Sequence, residues 1–254
     1  MLMDFSKMKL GRKPINTLKA RNLMCLRDYA DRSLLPTPPS TVNWSAKVAS
    51  FPMFGNDVHS DCTSAAYAHQ NQAWGANSGR PVSISLQQVL DFYKVSCGWN
   101  GDVATDQGGD EISVLNAARK IGLGGYTLDS YVGIERTLAD VKLCTYLFGG
   151  IYIGVELPLS AQTQEIWDVP PSWASDGLPG SWGGHAVNIL DYDEADTLTC
   201  ITWGRRQRMT WDFFAKYVEE AYALVSPEWF ATSGISPVGI DLPGMRLDAE
   251  RLAA

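Results

Sequence analysis

The 254-residue sequence predicts an α+β domain in two halves, helical first and β-rich second, with a cleft between them. Two observations carry this. Apolar residues recur at helical spacing through residues 62–121, whereas short β-branched or aromatic runs bounded by turn residues occupy 150–203. A third, the 45% hydrophobic content, is enough to bury a substantial core.

The first helix is expected from Cys62 to about Trp74: Ala65, Ala66 and Ala68 favour it, and Gly75 with Asn77-Ser78-Gly79 should stop it. Ser85 to Ser96 reads as the second, with Leu86, Val89, Leu90 and Tyr93 on one face, and Glu111 to Ile121 as the third, closed by Gly122. Gly150 to Leu157, Ala186 to Tyr192 and Leu198 to Trp203 read as strands, and Trp211 to Tyr222 as a later helix. Between the first two strands lies a long loop, Ser160 to Gly184, containing Trp167 and Trp173; a loop of that length in a compact domain usually serves function.

Residues 1–34 form an N-terminal arm or a short prosegment, with a short helix around Thr17 to Asp31. They end at Leu35-Pro36-Thr37-Pro38-Pro39, which cannot continue a helix. The main domain is placed at 35–230, and 231–254 is a C-terminal extension ending in a short charged helix.

Twenty-one basic against 28 acidic side chains supply no basic stripe for a phosphate backbone, so no nucleic-acid partner is expected. The start of the chain lacks the apolar run of a signal peptide, and no run is long enough to span a bilayer; a cytoplasmic protein with no membrane partner is the expectation. The five cysteines contain no CxxC pair, and neither a metal nor a cofactor is expected. Asp102, Asp106, Asp110 and Glu111 miss the spacing of a calcium loop and read as a solvated acidic loop. Arg205, Arg206 and Arg208 read as solvated surface or as partners of carboxylates such as Glu219 and Glu220.

The segment GNDVHSDCTSAAYAHQ delivers Cys62 to a helix start, where the partial positive charge of the helix end favours a thiolate. A nucleophilic thiol also needs an imidazole. His69 is two turns away, roughly 10 Å along the axis, too far to take the proton. His59 sits in the approach loop. His185, in Trp182-Gly183-Gly184-His185-Ala186-Val187, stands at the edge of an apolar strand and would face a cleft. Taken singly, Cys62 reads as a small buried residue and His185 as a surface one; in combination they suggest a pair.

These stretches, in order, resemble the papain-like cysteine peptidases. LPTPPSTVNW resembles the start of that family's mature domain, and GNDVHSDCTSAAYA its nucleophile segment, with Cys62 at the catalytic cysteine and Asn56 at the oxyanion-hole glutamine. Residues 83–126 resemble the next helix, the glycine pair (Gly108 and Gly109) of the substrate cleft and the helix after it. GGHAVNILDYD resembles the histidine strand, and Ile201-Thr202-Trp203-Gly204 the segment that follows. The resemblance spans about residues 35–225 and implies a two-lobed fold with a helical N-terminal lobe and a β-rich C-terminal lobe. It also implies that Gly108, Gly109, Gly184 and Trp203 line the substrate site, Trp203 shielding the imidazole.

Two departures stand out. Thr63 replaces the aromatic residue after the cysteine, and Ile201 stands where the family has the asparagine that orients the imidazole. Thr202, Asp191 and Asp193 are the candidates to replace it, and strand alternation does not choose among them. The resemblance implies a peptidase or amidase that acts on a peptide or protein through a thioester acyl-enzyme. A papain-fold binding or structural protein without catalysis, and an acyltransferase using the same Cys-His site, are the alternatives. The family's inhibitory prosegments are longer than residues 1–34, which favours an ordinary arm. Oligomeric state has no signature in the sequence.

Overall fold

The computed structural model describes residues 5–15, 17–20, 25–26, 35–171, 175–241 and 243–244. Of the helix predicted around Thr17 to Asp31, Thr17–Ala20 is helical, whereas Cys25 pairs in parallel with Gly133; residues 21–24 and 27–31, Trp173 and the charged helix predicted at the C-terminus lie outside the described residues.

Helix α1, Cys62–Ser78, is buried along almost its whole length, so it is a central helix with no solvent face. It runs straight through Gly75, where the sequence predicted a stop. A Cβ there would lie 2.6 Å from the Arg80 carbonyl oxygen, so this glycine serves close packing, and the helix ends instead at Gly79 in the left-handed region (φ 77°). Helix α2, Leu86–Cys97, opens with a reciprocal Ser85–Gln88 capping box, and α3, Glu111–Lys120, with Asp110 accepting from the Ser113 N–H. Helix α4, Leu138–Phe148, capped by Thr137, escaped the sequence reading.

Among the described residues, eight strands form one sheet: β1 Val42–Asn43, β2 Ser130–Gly133, β3 Ile151–Leu157, β4 Ile166–Trp167, β5 Gly183–Tyr192, β6 Leu198–Thr202, β7 Arg205–Met209 and β8 Val218–Val225. Their order is β2-β8-β3-β5-β6-β7-β4, with β1 on β5. Every pairing is antiparallel except β4 with β7. The predicted loop 160–184 therefore contains a strand, and Trp167 on it is fully buried in the sheet-side core. The predicted helix Trp211 to Tyr222 ends early: α5 covers Trp211–Tyr217, and the chain then enters β8 directly. β8 is flanked by β2 and β3, and two ladders of hydrogen bonds override the helical spacing of the sequence.

One apolar cluster fills the sheet lobe around Trp167, Val187 and Phe213. Another surrounds α1–α3 and takes in Tyr152, Ala186 and Tyr222 from β3, β5 and β8, so the sheet's inner strands carry both lobes. Polar pins close the seam: Tyr152 donates to the Thr63 carbonyl at 2.9 Å, Asn188 to the Gln70 side chain at 3.0 Å, and Trp74 to the Phe148 carbonyl at 2.7 Å. Among the described residues no helix is long and apolar enough to cross a membrane.

Candidate active site

Cys62 is the first residue of α1, so its N–H has no partner within the helix. Asp61 precedes it in the capping position without capping. Neither Asp61 carboxyl oxygen has a partner among the described residues, and burial holds this acid well above the usual carboxylate range. The Cys62 sulfur is fully buried and lies against the backbone of Ala186, the residue after His185, and of Gly11 of the arm. Burial pushes the thiol up to about 12, Asp61 and Glu111 add to the shift, and the two backbone contacts oppose it.

His185 lies on β5 opposite Val155 of β3. Its Nε2 is 2.7 Å from the Thr202 hydroxyl, and its ring stacks on Trp203 at 4.5 Å and 17°. Nδ1 has no partner among the described residues. The sequence suggested a ring facing an open cleft; His185 is instead fully buried, and burial pushes it down to about 3. In this state thiol and imidazole are both neutral.

The orienting partner is Thr202. Ile201, one residue earlier on β6, points the other way and packs with Phe51 and Leu190, because side chains alternate along a strand. Asp191 accepts from Ser45, at 2.9 Å from its N–H and 2.6 Å from its hydroxyl, and Asp193 pairs with Arg208 at 3.2 Å. Trp203 takes a left-handed conformation (φ 45°) at the β6–β7 turn, which swings its indole over His185. Asn56 is buried in the segment before α1, and its side-chain oxygen has no partner among the described residues. The other two histidines stand apart. His69 bonds the Pro52 carbonyl at 2.7 Å between Phe51 and Phe54, and His59 lies 3.7 Å from Asp106 against Trp99.

The space over this pair is filled by the chain's own arm. Gly109 donates to the Gly11 carbonyl and accepts from the Lys13 N–H, both at 2.9 Å, and the Arg12 N–H donates to the Gly184 carbonyl at 3.1 Å. Arg12 thus pairs in parallel with Gly109. A Cβ at Gly108 would lie 1.7 Å from the Gly11 oxygen, and one at Gly11 would lie 2.0 Å from the Ser60 oxygen, so arm and cleft meet backbone to backbone. Trp203 donates to the Lys9 carbonyl at 3.3 Å, and Phe5 packs against its ring. Residues 9–13 thus run between Gly109, Gly184 and Trp203.

Sequence reasoning missed Arg12 altogether. Its guanidinium is fully buried against Glu111 (3.0 Å), Glu156 (2.5 Å), Glu219 (3.0 Å) and Glu220. Two expectations fall with it. Glu111 is no member of a solvated acidic loop but is wholly buried, and Glu219 and Glu220 pair with Arg12, not with the arginines of β7. Of those arginines, Arg206 binds Ser45 and the Val48 carbonyl, and Arg208 binds Asp193. Nothing local marks Arg12; its partners are far away in the sequence.

No family model matches the chain, and no curated protein matches it significantly. Solved structures do. Xylellain, a cysteine protease from Xylella fastidiosa, superposes with a TM-score of 0.66 at 15% identity over 86% of this chain and 96% of its own. A structure concerning the mite allergens Blo t 1 and Der p 1 gives 0.61 at 11% identity, over 87% and 81%. ProCathepsin B S9 from Trypanosoma congolense gives 0.59 at 12% identity, over 87% of each chain. The helical lobe, which starts at Cys62, and the sheet lobe, which carries His185 on β5, thus make up the two-lobed α+β fold of the papain-like cysteine proteases.

Proposed function

We propose that the chain is a cysteine hydrolase of peptide-like substrates, held at rest by its own residues 9–13. The observation that carries this reading is the state of His185. Thr202 holds Nε2, leaving Nδ1 unpartnered beside a strand whose next residue, Ala186, touches the Cys62 sulfur. A catalytic imidazole needs this arrangement: one nitrogen fixed by an orienting group, the other kept for the nucleophile's proton.

Once the arm leaves, water reaches the pair and the desolvation that keeps both groups neutral is relieved. Cys62 gives its proton to His185, and the thiolate attacks the substrate carbonyl carbon. The amide of Asn56 and the Cys62 N–H receive the developing oxyanion. His185 protonates the leaving amine as the C–N bond breaks, and water, deprotonated by the same imidazole, then hydrolyses the thioester. Trp203 shields the imidazole face throughout. Residues 1–34 act in this reading as a short prosegment.

The test is the pH dependence of Cys62 alkylation by iodoacetamide, read by peptide mass spectrometry in three full-length proteins. Wild type should react only in strong alkali. Gly11→Val, which cannot seat the arm against Ser60, should react well below pH 8, and Gly11→Val/His185→Ala should lose that reactivity. If Cys62 in Gly11→Val behaves like an ordinary thiol whether or not His185 is present, the chain is a papain-fold protein without the catalytic pair.

A further inference from the structure

The residue before Cys62 is a buried acid whose side chain caps nothing. Asp61 stands at the start of α1, where a carboxylate ordinarily accepts a helix N–H; here the Ser64 and Ala65 N–H groups go to its main-chain carbonyl, at 2.9 and 3.0 Å. Neither carboxyl oxygen has a partner among the described residues. The side-chain oxygens of Asn56 and Ser64, buried on the same segment, share that condition. A buried polar group without a partner is costly to keep, so the carboxyl of Asp61 calls for a reason other than the fold.

The charged groups that act on Asp61 are acids. Asp106 is pinned beside it: one oxygen accepts from the Ser60 N–H at 2.9 Å and from the Tyr93 hydroxyl at 2.8 Å, and the other lies 3.7 Å from His59. Asp57, exposed on the approach to α1, adds a second negative charge. Burial, and then Asp106 and Asp57, hold Asp61 well above the usual carboxylate range, while its own backbone pulls the other way. The influence is mutual, because after burial it is Asp61, and then Glu111, whose charge pushes the Cys62 thiol up. An ionised Asp61 and a Cys62 thiolate therefore disfavour each other.

We propose that Asp61 is a positioning residue of the reaction, one that must keep its proton for Cys62 to hold a negative charge, and that losing this proton closes the site from the alkaline side. With Asp61 neutral, Cys62 passes its proton to His185 and the charge sits on sulfur. When Asp61 releases its proton to water, its carboxylate stands one residue from that sulfur. Cys62 then recovers its proton from the imidazolium, and the pair returns to thiol and imidazole. One proton has left, and the negative charge has moved from sulfur to carboxylate. All three groups are needed: two acids that merely repel each other both lose protons steadily as pH rises, whereas an imidazolium that can hand a proton back lets the thiolate fraction fall. His59 and Tyr93 reach Asp61 through Asp106.

The inference rests on the proposed hydrolase reading, and one titration separates the two. The rate of Cys62 alkylation by iodoacetamide is followed against pH in full-length Gly11→Val, and in that background with Asp61→Asn, Asp57→Asn or His185→Ala. In Gly11→Val the rate should rise, pass a maximum and fall by about threefold or more before rising again in strong alkali. Asp61→Asn, of the same shape and always neutral, should remove the fall. Asp57→Asn, at an exposed position, should move the maximum to lower pH, because with one like charge gone Asp61 ionises at lower pH. His185→Ala should leave a single alkaline rise. A His185-dependent plateau that never falls overturns the role of Asp61 and leaves the hydrolase reading standing. So does a fall that persists in Asp61→Asn, or, whether or not that variant folds, a maximum that Asp57→Asn does not move. A single alkaline rise that is the same with and without His185 removes the hydrolase reading, and the role of Asp61 with it.

Discussion

Two buried places lie side by side beneath the arm, and they are opposites. Around Arg12, four carboxylates surround one cation. Around Cys62 and His185, burial disfavours charge on either group, the thiol up at about 12 and the imidazole down at about 3. One segment produces both conditions. Arg12 supplies the charge that the pocket lacks, and the backbone of residues 9–11 removes the water that the pair needs. The side chain and the backbone of the arm thus act separately, and substitutions can break one without the other.

Expelling the backbone should have the largest effect. Gly11→Val relieves the desolvation of Cys62, and each unit by which the thiol falls toward its ordinary value raises the thiolate fraction tenfold, so a gain of about a thousandfold in alkylation rate at pH 8 is expected. Removing the charge comes next. Arg12→Ala leaves the carboxylates uncompensated and should weaken the seating of the arm by about 3–5 kcal/mol, read as faster hydrogen exchange at the Lys13 and Gly109 amides. Within the pair, Thr202→Val removes the 2.7 Å bond to His185 and should lower turnover by the arm-expelled enzyme about tenfold, whereas Thr202→Ser should retain it.

A smaller contrast involves His69, buried like His185 but held between Phe51 and Phe54, far from any nucleophile, and pushed down to about 4. The unfolded chain binds protons at both imidazoles below about pH 6.5 while the folded chain does not. The stability they contribute is present above that pH and lost as pH falls toward 3–4. His69→Gln should flatten the acid limb of a denaturation-against-pH curve without changing Cys62 alkylation. The smallest effect belongs to Glu219→Gln: this side chain is 43% exposed, and losing its pair with Arg12 should shift stability by less than about 1 kcal/mol.

Much of the helical lobe was legible. Ser85 with Gln88, Asp110 with Ser113 and the apolar spacing behind them are local signals, and α2 and α3 follow them closely. The β5 and β6 runs were legible for the same reason. The reading failed where a distant partner decides. Val218 to Tyr222 suits a helix in isolation and becomes a strand because β2 and β3 lie on either side. Gly75 looked like a stop and is a contact with residues 80 and 82. At the site, residue types singled out Cys62 and His185, and the family resemblance Asn56, but the choice among Thr202, Asp191 and Asp193 turned on which way each side chain points.

The sequence by itself determined what short-range physical chemistry controls: where helices start, which runs alternate, and that one cysteine sits at a helix start ahead of a glycine-flanked histidine. Only the tertiary structure decided that residues 9–13 thread the cleft and that Arg12 meets Glu111, Glu156, Glu219 and Glu220, partners 99 to 208 positions away. A buried charge is tolerable only where opposite charge converges on it in space, and no local pattern of residues announces that convergence.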